Sequence, residues 1–141
     1  MLSRVVERNV KHFPFLQTLL ATGNVTSPNY PNNYPNGLEK TDTIQVEEGL
    51  ILSLQFTAFD IESDPTCRYD HLTITDGDGT TLMEKSCGNS LPAAIRSRSN
   101  VVNLVFSTDG GATYSGWSVS WSAVTPGECQ QCNLVNLSFP F

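Results

Sequence analysis

The sequence has few basic residues and no long apolar run. Lys and Arg together number 8 against 14 Asp and Glu, which gives a formal net charge of −6. Because phosphate binding needs clustered Lys and Arg, this balance argues against nucleic acid as a partner. No apolar stretch reaches the roughly 18 residues of a spanning helix, so the sequence predicts no transmembrane segment. An acidic chain of 141 residues suits one domain with cationic partners, such as Lys-bearing proteins or divalent metals.

Residues that commonly carry catalysis are also scarce. The two histidines, His12 and His71, are far apart in the chain, and no serine stands in a nucleophile-elbow motif. Paired carboxylates can hydrolyse glycosides, but the sequence gives no sign of a cleft or of a raised pKa. We therefore expect that the protein is not an enzyme.

The four cysteines and two glycosylation motifs favour an extracellular, secreted protein. Cys67, Cys87, Cys129 and Cys132 could form two disulfide bonds in any of three connectivities. Asn24-Val25-Thr26 and Asn136-Leu137-Ser138 have the Asn-X-Ser/Thr pattern, so Asn24 and Asn136 are candidate glycosylation sites. Cysteine pairs and such motifs belong together in the secretory pathway.

Composition divides the chain into three parts. Residues 1–22 have the basic, apolar, small-residue order of a signal peptide, although Pro14 and Gln17 interrupt the apolar run; we treat them as a leader. Residues 23–125 form the expected domain. Residues 126–141 lack an alternating pattern and read as a linker or tail, in which Cys129 and Cys132 would pair locally or with sequence further on.

Alternating residues predict strands rather than helices across the domain. Leu50, Leu52, Leu54 and Phe56 fall on one face of one segment, and Trp117, Val119 and Trp121 on one face of another. Leu72 with Ile74, and Val102 with Leu104 and Phe106, repeat the pattern between turn signals such as Asn36-Gly37. Short strands with few helix signals predict an all-β fold, a two-sheet antiparallel β-sandwich with both tryptophans in its core.

The stretch AFDIESDPTCRYD at 58–70 is unusually acidic. It contains Asp60, Glu62, Asp64 and Asp70 within thirteen residues. From the residues alone, three interpretations remain open: a solvated acidic loop, a catalytic acid pair, or part of a metal site. The absence of other catalytic signals weighs against the second.

Six blocks of the sequence together resemble a known family. SPNYPNNYP, FTAFDIE, CRYD, CGNSLP, SRSNVVNLVFSTD and GWSVSW stand in the order and spacing of a CUB domain. This is the extracellular β-sandwich module of complement-type and astacin-type proteases, cubilin and spermadhesins. The resemblance covers about residues 23–124. It implies a jelly-roll-like sandwich, and it implies that Cys67 pairs with Cys87; the other cysteine pair common in the family is missing, since residues 38–44 read LEKTDTI.

The resemblance extends to the calcium-binding subset of the family. It implies Ca²⁺ as cofactor, with Glu62, Asp70 and Asp109 as metal ligands and Tyr34 as their support. It also implies a partner protein whose exposed Lys contacts Tyr34, Glu62 and Asp109. Asp64 we expect to be solvated. Calcium prefers six to eight oxygen ligands, which carboxylates and carbonyls supply.

Two alternatives to a calcium-dependent binding module stay open. The chain could be an accessory CUB fragment of a secreted protease whose catalytic domain lies elsewhere. It could also be a calcium-independent, spermadhesin-like binder of carbohydrate or protein.

Overall fold

The computed structural model describes residues 20–127, which form eight strands and no helix. The strands are β1 (Thr22–Thr26), β2 (Glu39–Gln45), β3 (Ile51–Asp60), β4 (His71–Asp76), β5 (Thr81–Ser86), β6 (Ile95–Arg96), β7 (Val101–Ser107) and β8 (Gly116–Val124). Most of the expected leader, Cys129, Cys132 and Asn136 lie outside the described residues. The part of the chain that is described has no helix of the length and apolar character needed to cross a bilayer.

The strands make two antiparallel four-stranded sheets. The first sheet has the order β1-β8-β3-β6 and the second has the order β2-β7-β4-β5. The predicted two-sheet sandwich is therefore confirmed. Neighbouring strands in each sheet are mostly distant in sequence, so the chain passes repeatedly between the sheets and its loops gather at the two ends of the sandwich.

The apolar faces predicted from alternation form the core between the sheets. Leu72 and Ile74 on β4 are fully buried, as are Val102, Leu104 and Phe106 on β7. Full burial of one such side chain contributes about 1.5–3 kcal/mol before the cost in conformational entropy is counted. These strands alternate between buried and half-buried positions because one face of each packs on the opposite sheet.

The long central strand β3 departs from simple alternation. Leu52, Leu54 and Phe56 are buried as predicted, but a register shift against β8 occurs between Phe56 and Ala58. This bulge changes the phase of the strand, so Phe59 and Ile61 are the next buried residues. Ile61 then forms an isolated β-bridge with Gly88. The next residue, Glu62, is half-buried where β3 has ended.

Strand β1 is held at the edge of the first sheet by pairing with β8 and by contact with a tryptophan. Five residues of β1 pair with Ser118 to Ser122. Gly23 lies against the ring of Trp121, where an added Cβ would be 2.6 Å from a ring carbon. Trp117 is fully buried and Trp121 is partly buried against the core, which agrees with the prediction that both are packing residues.

Candidate metal centre

Three predicted ligands lie together at one end of the sandwich because three strands end or begin there. Glu62 follows β3 of the first sheet. Asp70 immediately precedes β4 and Asp109 follows β7, and these two strands are neighbours in the second sheet, where His71 pairs with Ser107. The site therefore spans the two sheets, with one ligand candidate from the first and two from the second.

The carboxylate oxygens of these residues form a compact group. One oxygen each from Glu62, Asp70 and Asp109 lies within 4.8 Å of the other two. Asp70 is fully buried, whereas Glu62 and Asp109 are half-buried. Glu62 Oε1 is out of contact with solvent and has no hydrogen-bond partner within residues 20–127. A buried carboxylate oxygen without a partner is costly, so this atom is suited to a cation.

Asp70 is fixed by two hydrogen bonds on its two oxygens. Oδ2 accepts a bond of 2.8 Å from the Tyr34 hydroxyl, and Oδ1 accepts one of 2.9 Å from the backbone N–H of Asp109. The second bond joins the two ligand candidates of the same sheet directly. Since charge-assisted bonds to a carboxylate are strong and directional, they hold the Asp70 side chain in a single orientation.

Tyr34 connects the ligand candidates through a single hydroxyl. It donates to Asp70 and accepts a bond of 3.0 Å from the backbone N–H of Glu62. Its ring is buried and stands edge-on to Phe106 at 5.0 Å, and Phe106 stands edge-on to Trp117 at 5.8 Å. The site is thus anchored in the aromatic core. Tyr34 is 1% exposed, so its predicted role as a support fits, whereas direct contact with a partner would require the loop to move.

The Asp109 loop is held by hydrogen bonds between its own side chains and backbone groups nearby. Thr108 Oγ1 donates to the carbonyl of Pro35 and accepts from the N–H of Leu38, which ties the loop to the segment that carries Tyr34. Asp109 Oδ1 accepts a bond of 2.9 Å from the N–H of Gly111, a local turn that Asp commonly makes. The carboxylate is therefore positioned before any ligand arrives.

The disulfide predicted by the resemblance is present beside the site. Cys67 and Cys87 are bonded, with their Cα atoms 5.5 Å apart. Cys67 has a positive φ of 51°, which only a few non-glycine residues adopt. The bond ties the loop between Glu62 and Asp70 to Cys87. The next residue, Gly88, forms a β-bridge with Ile61.

The expectation that Asp64 is solvated is wrong. Its side chain is only 5% exposed, because Oδ2 accepts bonds from the backbone N–H groups of Thr66 and Arg68 and Oδ1 lies 3.3 Å from Arg68 Nε. Burial raises the pKa of Asp64, but these hydrogen bonds and the Arg68 charge outweigh burial and lower it. Asp64 shapes the disulfide loop. The Asp-Pro-Thr sequence, typical of a turn, was the signal for this role.

Electrostatic strain is concentrated on Glu62. Desolvation, followed by the charges of Asp70 and Asp109, raises the pKa of Glu62 above its ordinary value. Burial, aided by the Asp70 carboxylate, also raises the pKa of Tyr34, so this hydroxyl stays protonated and remains a donor. Like charges so close together disfavour ionisation unless a cation joins them.

The donor set fits a hard divalent cation. All three side chains offer oxygen and none offers nitrogen or sulfur, which is the preference of Ca²⁺ and not of Zn²⁺. Three carboxylates also exceed the charge of one Ca²⁺ by one negative unit. Asp60 is near this end of the sandwich but is not one of the three clustered carboxylates. Its Oδ2 accepts a hydrogen bond from the Ser115 hydroxyl.

Comparison with known proteins gives one consistent family. The family model described as CUB domain matches residues 17–121. Cubilin of Rattus norvegicus is 34% identical over 104 residues, which are 74% of this chain and 3% of that protein. Mannan-binding lectin serine protease 1 of Mus musculus is 39% identical over 105 residues, 72% of this chain and 15% of that protein. The chain thus spans a small fraction of the curated relatives it matches.

A solved structure supports the same family in both sequence identity and fold. The crystal structure of the MASP-1 CUB2 domain bound to Ca²⁺ is 38% identical and superimposes with a TM-score of 0.65. The match covers 71% of this chain and 90% of that domain. With a matching family model over most of its length and the same two-sheet architecture, this chain belongs to the CUB domain family.

Proposed function

We propose that this CUB domain is an extracellular, non-enzymatic binding module that holds Ca²⁺ through Glu62, Asp70 and Asp109. The observation that carries the proposal is the convergence of three carboxylates from both sheets, with one oxygen of Glu62 buried and unpartnered. The similar MASP-1 CUB2 domain, crystallised with Ca²⁺, supports it independently. Ca²⁺ would neutralise the mutual repulsion of the carboxylates and join the loops on which they lie.

The residual negative charge suggests how the module engages a partner. With Ca²⁺ bound, the three carboxylates keep one excess negative charge, and Glu62 and Asp109 are partly exposed to solvent. A Lys ammonium is a compact cation with three donors, so it can approach both carboxylates at once. We assign the partner as an extracellular protein with an exposed Lys. Tyr34 acts in this scheme by holding Asp70 and the Glu62 backbone in place.

The extracellular setting is supported by the disulfide bond, because disulfides persist in oxidising compartments and are rare in the reducing cytosol. The Cys67–Cys87 disulfide fixes the loop between two ligand candidates, so reduction would loosen the site itself. Millimolar Ca²⁺ outside cells would also keep a low-affinity site filled.

Calorimetric titration with Ca²⁺ tests the metal site. We expect the wild-type protein to bind one ion, and Glu62→Gln and Asp70→Asn to lose that binding. The matched control is Glu48→Gln, which removes an exposed carboxylate at the opposite end of the sandwich. The proposal would be contradicted if the wild type released or absorbed no heat on addition of Ca²⁺, or if all variants bound Ca²⁺ with equal affinity.

Partner chemistry is tested separately with a small probe. A ¹⁵N-labelled sample is titrated with N-acetyl-lysine methylamide, with and without Ca²⁺, and the ε-acetylated form serves as control. We expect amide shifts at residues 61–70 and 107–113 only when both Ca²⁺ and the free ammonium are present. Equal shifts with the acetylated probe would rule out recognition of the Lys charge while leaving calcium binding intact.

A further inference from the structure

The outer surface of β1, β8 and β3 in the first sheet is rich in hydroxyl and amide groups. Its residues follow the register of the strands: Asn24 pairs with Ser120, which pairs with Gln55, and the adjacent row joins Thr22, Ser122 and Ser53. We call these six residues the hydroxyl face. They line a shallow, open depression of about 370 Å³.

The hydroxyl face lacks charge in a strongly acidic protein. The chain has 14 Asp and Glu, yet β1 and β8 contain no charged residue, and β3 contains only Asp60 at its far end. The exposed Arg96 of β6, which pairs with Ser53, bounds the hydroxyl face on the side away from Asn24. A surface of hydroxyl and amide groups without carboxylates is suited to a neutral, hydroxyl-rich ligand, because each group can donate and accept hydrogen bonds.

One member of the hydroxyl face is also the asparagine of a glycosylation motif. Asn24 begins Asn24-Val25-Thr26 and is exposed on β1, an edge strand of the sheet. Its side-chain amide makes no hydrogen bond within residues 20–127, so modification would break no contact there. Both Asn24 and Thr26 point away from the core, as the exposed-to-half-buried alternation of β1 indicates.

We propose that Asn24 carries an N-linked oligosaccharide whose first sugars lie along the hydroxyl face. The Asn24 Nδ2 forms a bond to the anomeric carbon of N-acetylglucosamine and loses one proton. The bond from that carbon to the pyrophosphate of a lipid-linked donor breaks, and the lipid pyrophosphate leaves with the electron pair. The inference rests on the proposed extracellular function only in requiring passage through the secretory pathway.

The register sets the path of the sugars. Neighbouring strands are about 4.8 Å apart, so the Gln55 backbone lies roughly 10 Å from that of Asn24, with Ser120 between them. Sugars attached to Asn24 therefore have donors and acceptors along one row of the face.

Glycan occupancy is tested on the full chain, secreted from mammalian cells behind an added signal peptide. The variant Asn136→Gln removes the other motif, and intact mass is measured before and after digestion with peptide N-glycosidase. We expect this variant to lose one glycan mass on digestion, with Asn24 converted to Asp. Asn136→Gln/Thr26→Val should carry no glycan, whereas Asn136→Gln/Thr26→Ser should keep it. Secreted protein with unmodified Asn24 overturns the proposal.

Contact between the sugars and the sheet is tested by hydrogen exchange. The glycosylated protein is compared with the same protein trimmed to a single N-acetylglucosamine. We expect amides of residues 22–26 and 118–124 to exchange faster after trimming by roughly 2- to 10-fold, the factor that one net hydrogen bond gives. Amides of β4 and β5 in the other sheet are the internal control. Identical exchange in both forms means that the sugars do not lie on the face.

The calcium titration of the same secreted protein keeps the two proposals separate. Unmodified Asn24 together with intact calcium binding overturns the glycan assignment alone. A glycosylated Asn24 in a protein that binds no Ca²⁺ overturns the metal assignment alone.

Discussion

The Tyr34 hydroxyl donates a 2.8 Å hydrogen bond to Asp70 Oδ2, and both side chains are buried. The Tyr34 hydroxyl oxygen also accepts the backbone N–H of Glu62, so this one atom links the two sheets at the candidate metal centre. This link makes the metal centre depend on a residue that does not itself offer a carboxylate.

Replacing Tyr34 with Phe tests that dependence. The change leaves the Glu62 N–H and one Asp70 oxygen without their partner, which should cost about 1–3 kcal/mol in free energy of unfolding. Loss of a supporting hydrogen bond should also weaken calcium binding roughly 10- to 100-fold. Urea denaturation and calorimetry measure the two effects. Tyr30→Phe, in the same loop, is the control, because the Tyr30 hydroxyl makes no hydrogen bond within the described residues.

Glu62→Gln should change stability in opposite directions with and without Ca²⁺. In chelator the variant should melt at a higher temperature than wild type, because it removes a charge that desolvation, Asp70 and Asp109 all disfavour. In Ca²⁺ it should melt at a lower temperature, because it loses the ligand. A variant that is less stable than wild type in both conditions would argue against electrostatic strain in the metal-free site.

The chelator experiment has a defined pH dependence. The pKa of Glu62 is raised in the folded state, so the folded wild type binds a proton at Glu62 more readily than the unfolded chain does. The free energy of unfolding of wild type therefore increases as pH falls through the pKa of Glu62. Glu62→Gln should therefore exceed wild type most clearly near neutral pH, and the difference should shrink on acidification. Melting curves between neutral and mildly acidic pH, with Glu48→Gln as the control, measure it.

Calcium itself should stabilise the folded domain strongly. At a free concentration one hundred times Kd, binding to the native state adds about 2.7 kcal/mol. For a domain of this size the corresponding rise in Tm is roughly 10–20 °C. Asp70→Asn should abolish the rise. A rise that persists in this variant would place the ion elsewhere.

Gly116→Ala should destabilise the domain through a steric clash behind the site. Gly116 has a φ of 91°, and an added Cβ would lie 1.9 Å from Ser27 Oγ and 3.4 Å from the Tyr34 ring. The Ser27 hydroxyl accepts the N–H of Trp117 and could not move without losing that bond. We expect a loss of at least about 1–3 kcal/mol in unfolding free energy. Gly110→Ala, where nothing lies within 4 Å, is the control and should be nearly neutral.

Much of the fold could be predicted because strand burial follows a period of two. The buried faces of β4 and β7 came directly from that period. The bulge after Phe56 could not be predicted, since it depends on how β3 fits β8 rather than on the residues of β3 alone. Its effect is functional, because the shifted phase buries Ile61 and leaves Glu62 at the rim.

The site could be predicted only in part. Residues 62, 70 and 109 are named by the family resemblance; their spacing does not reveal which strand ends meet, because Asp70 and Asp109 are 39 residues apart. The prediction that Asp64 is solvated is wrong, since its burial results from backbone donors that a turn supplies only once it is formed. The calcium role of the cluster and the Lys partner stay predictions.

The position of Tyr34 between the two sheets implies that the two ends of the sandwich depend on different conditions. At one end of the sandwich, this hydroxyl, the Cys67–Cys87 bond and the proposed ion all join the sheets or the loops between them. The opposite end, near Glu47 and Glu48, is joined by long-range hydrogen bonds instead: Asn100 Nδ2 donates to the Val46 carbonyl, and the Ser97 hydroxyl accepts the N–H of Leu52. The site end should therefore respond to reduction of the disulfide and to chelation, whereas the far end, held by hydrogen bonds between backbone and side chains, should respond to neither.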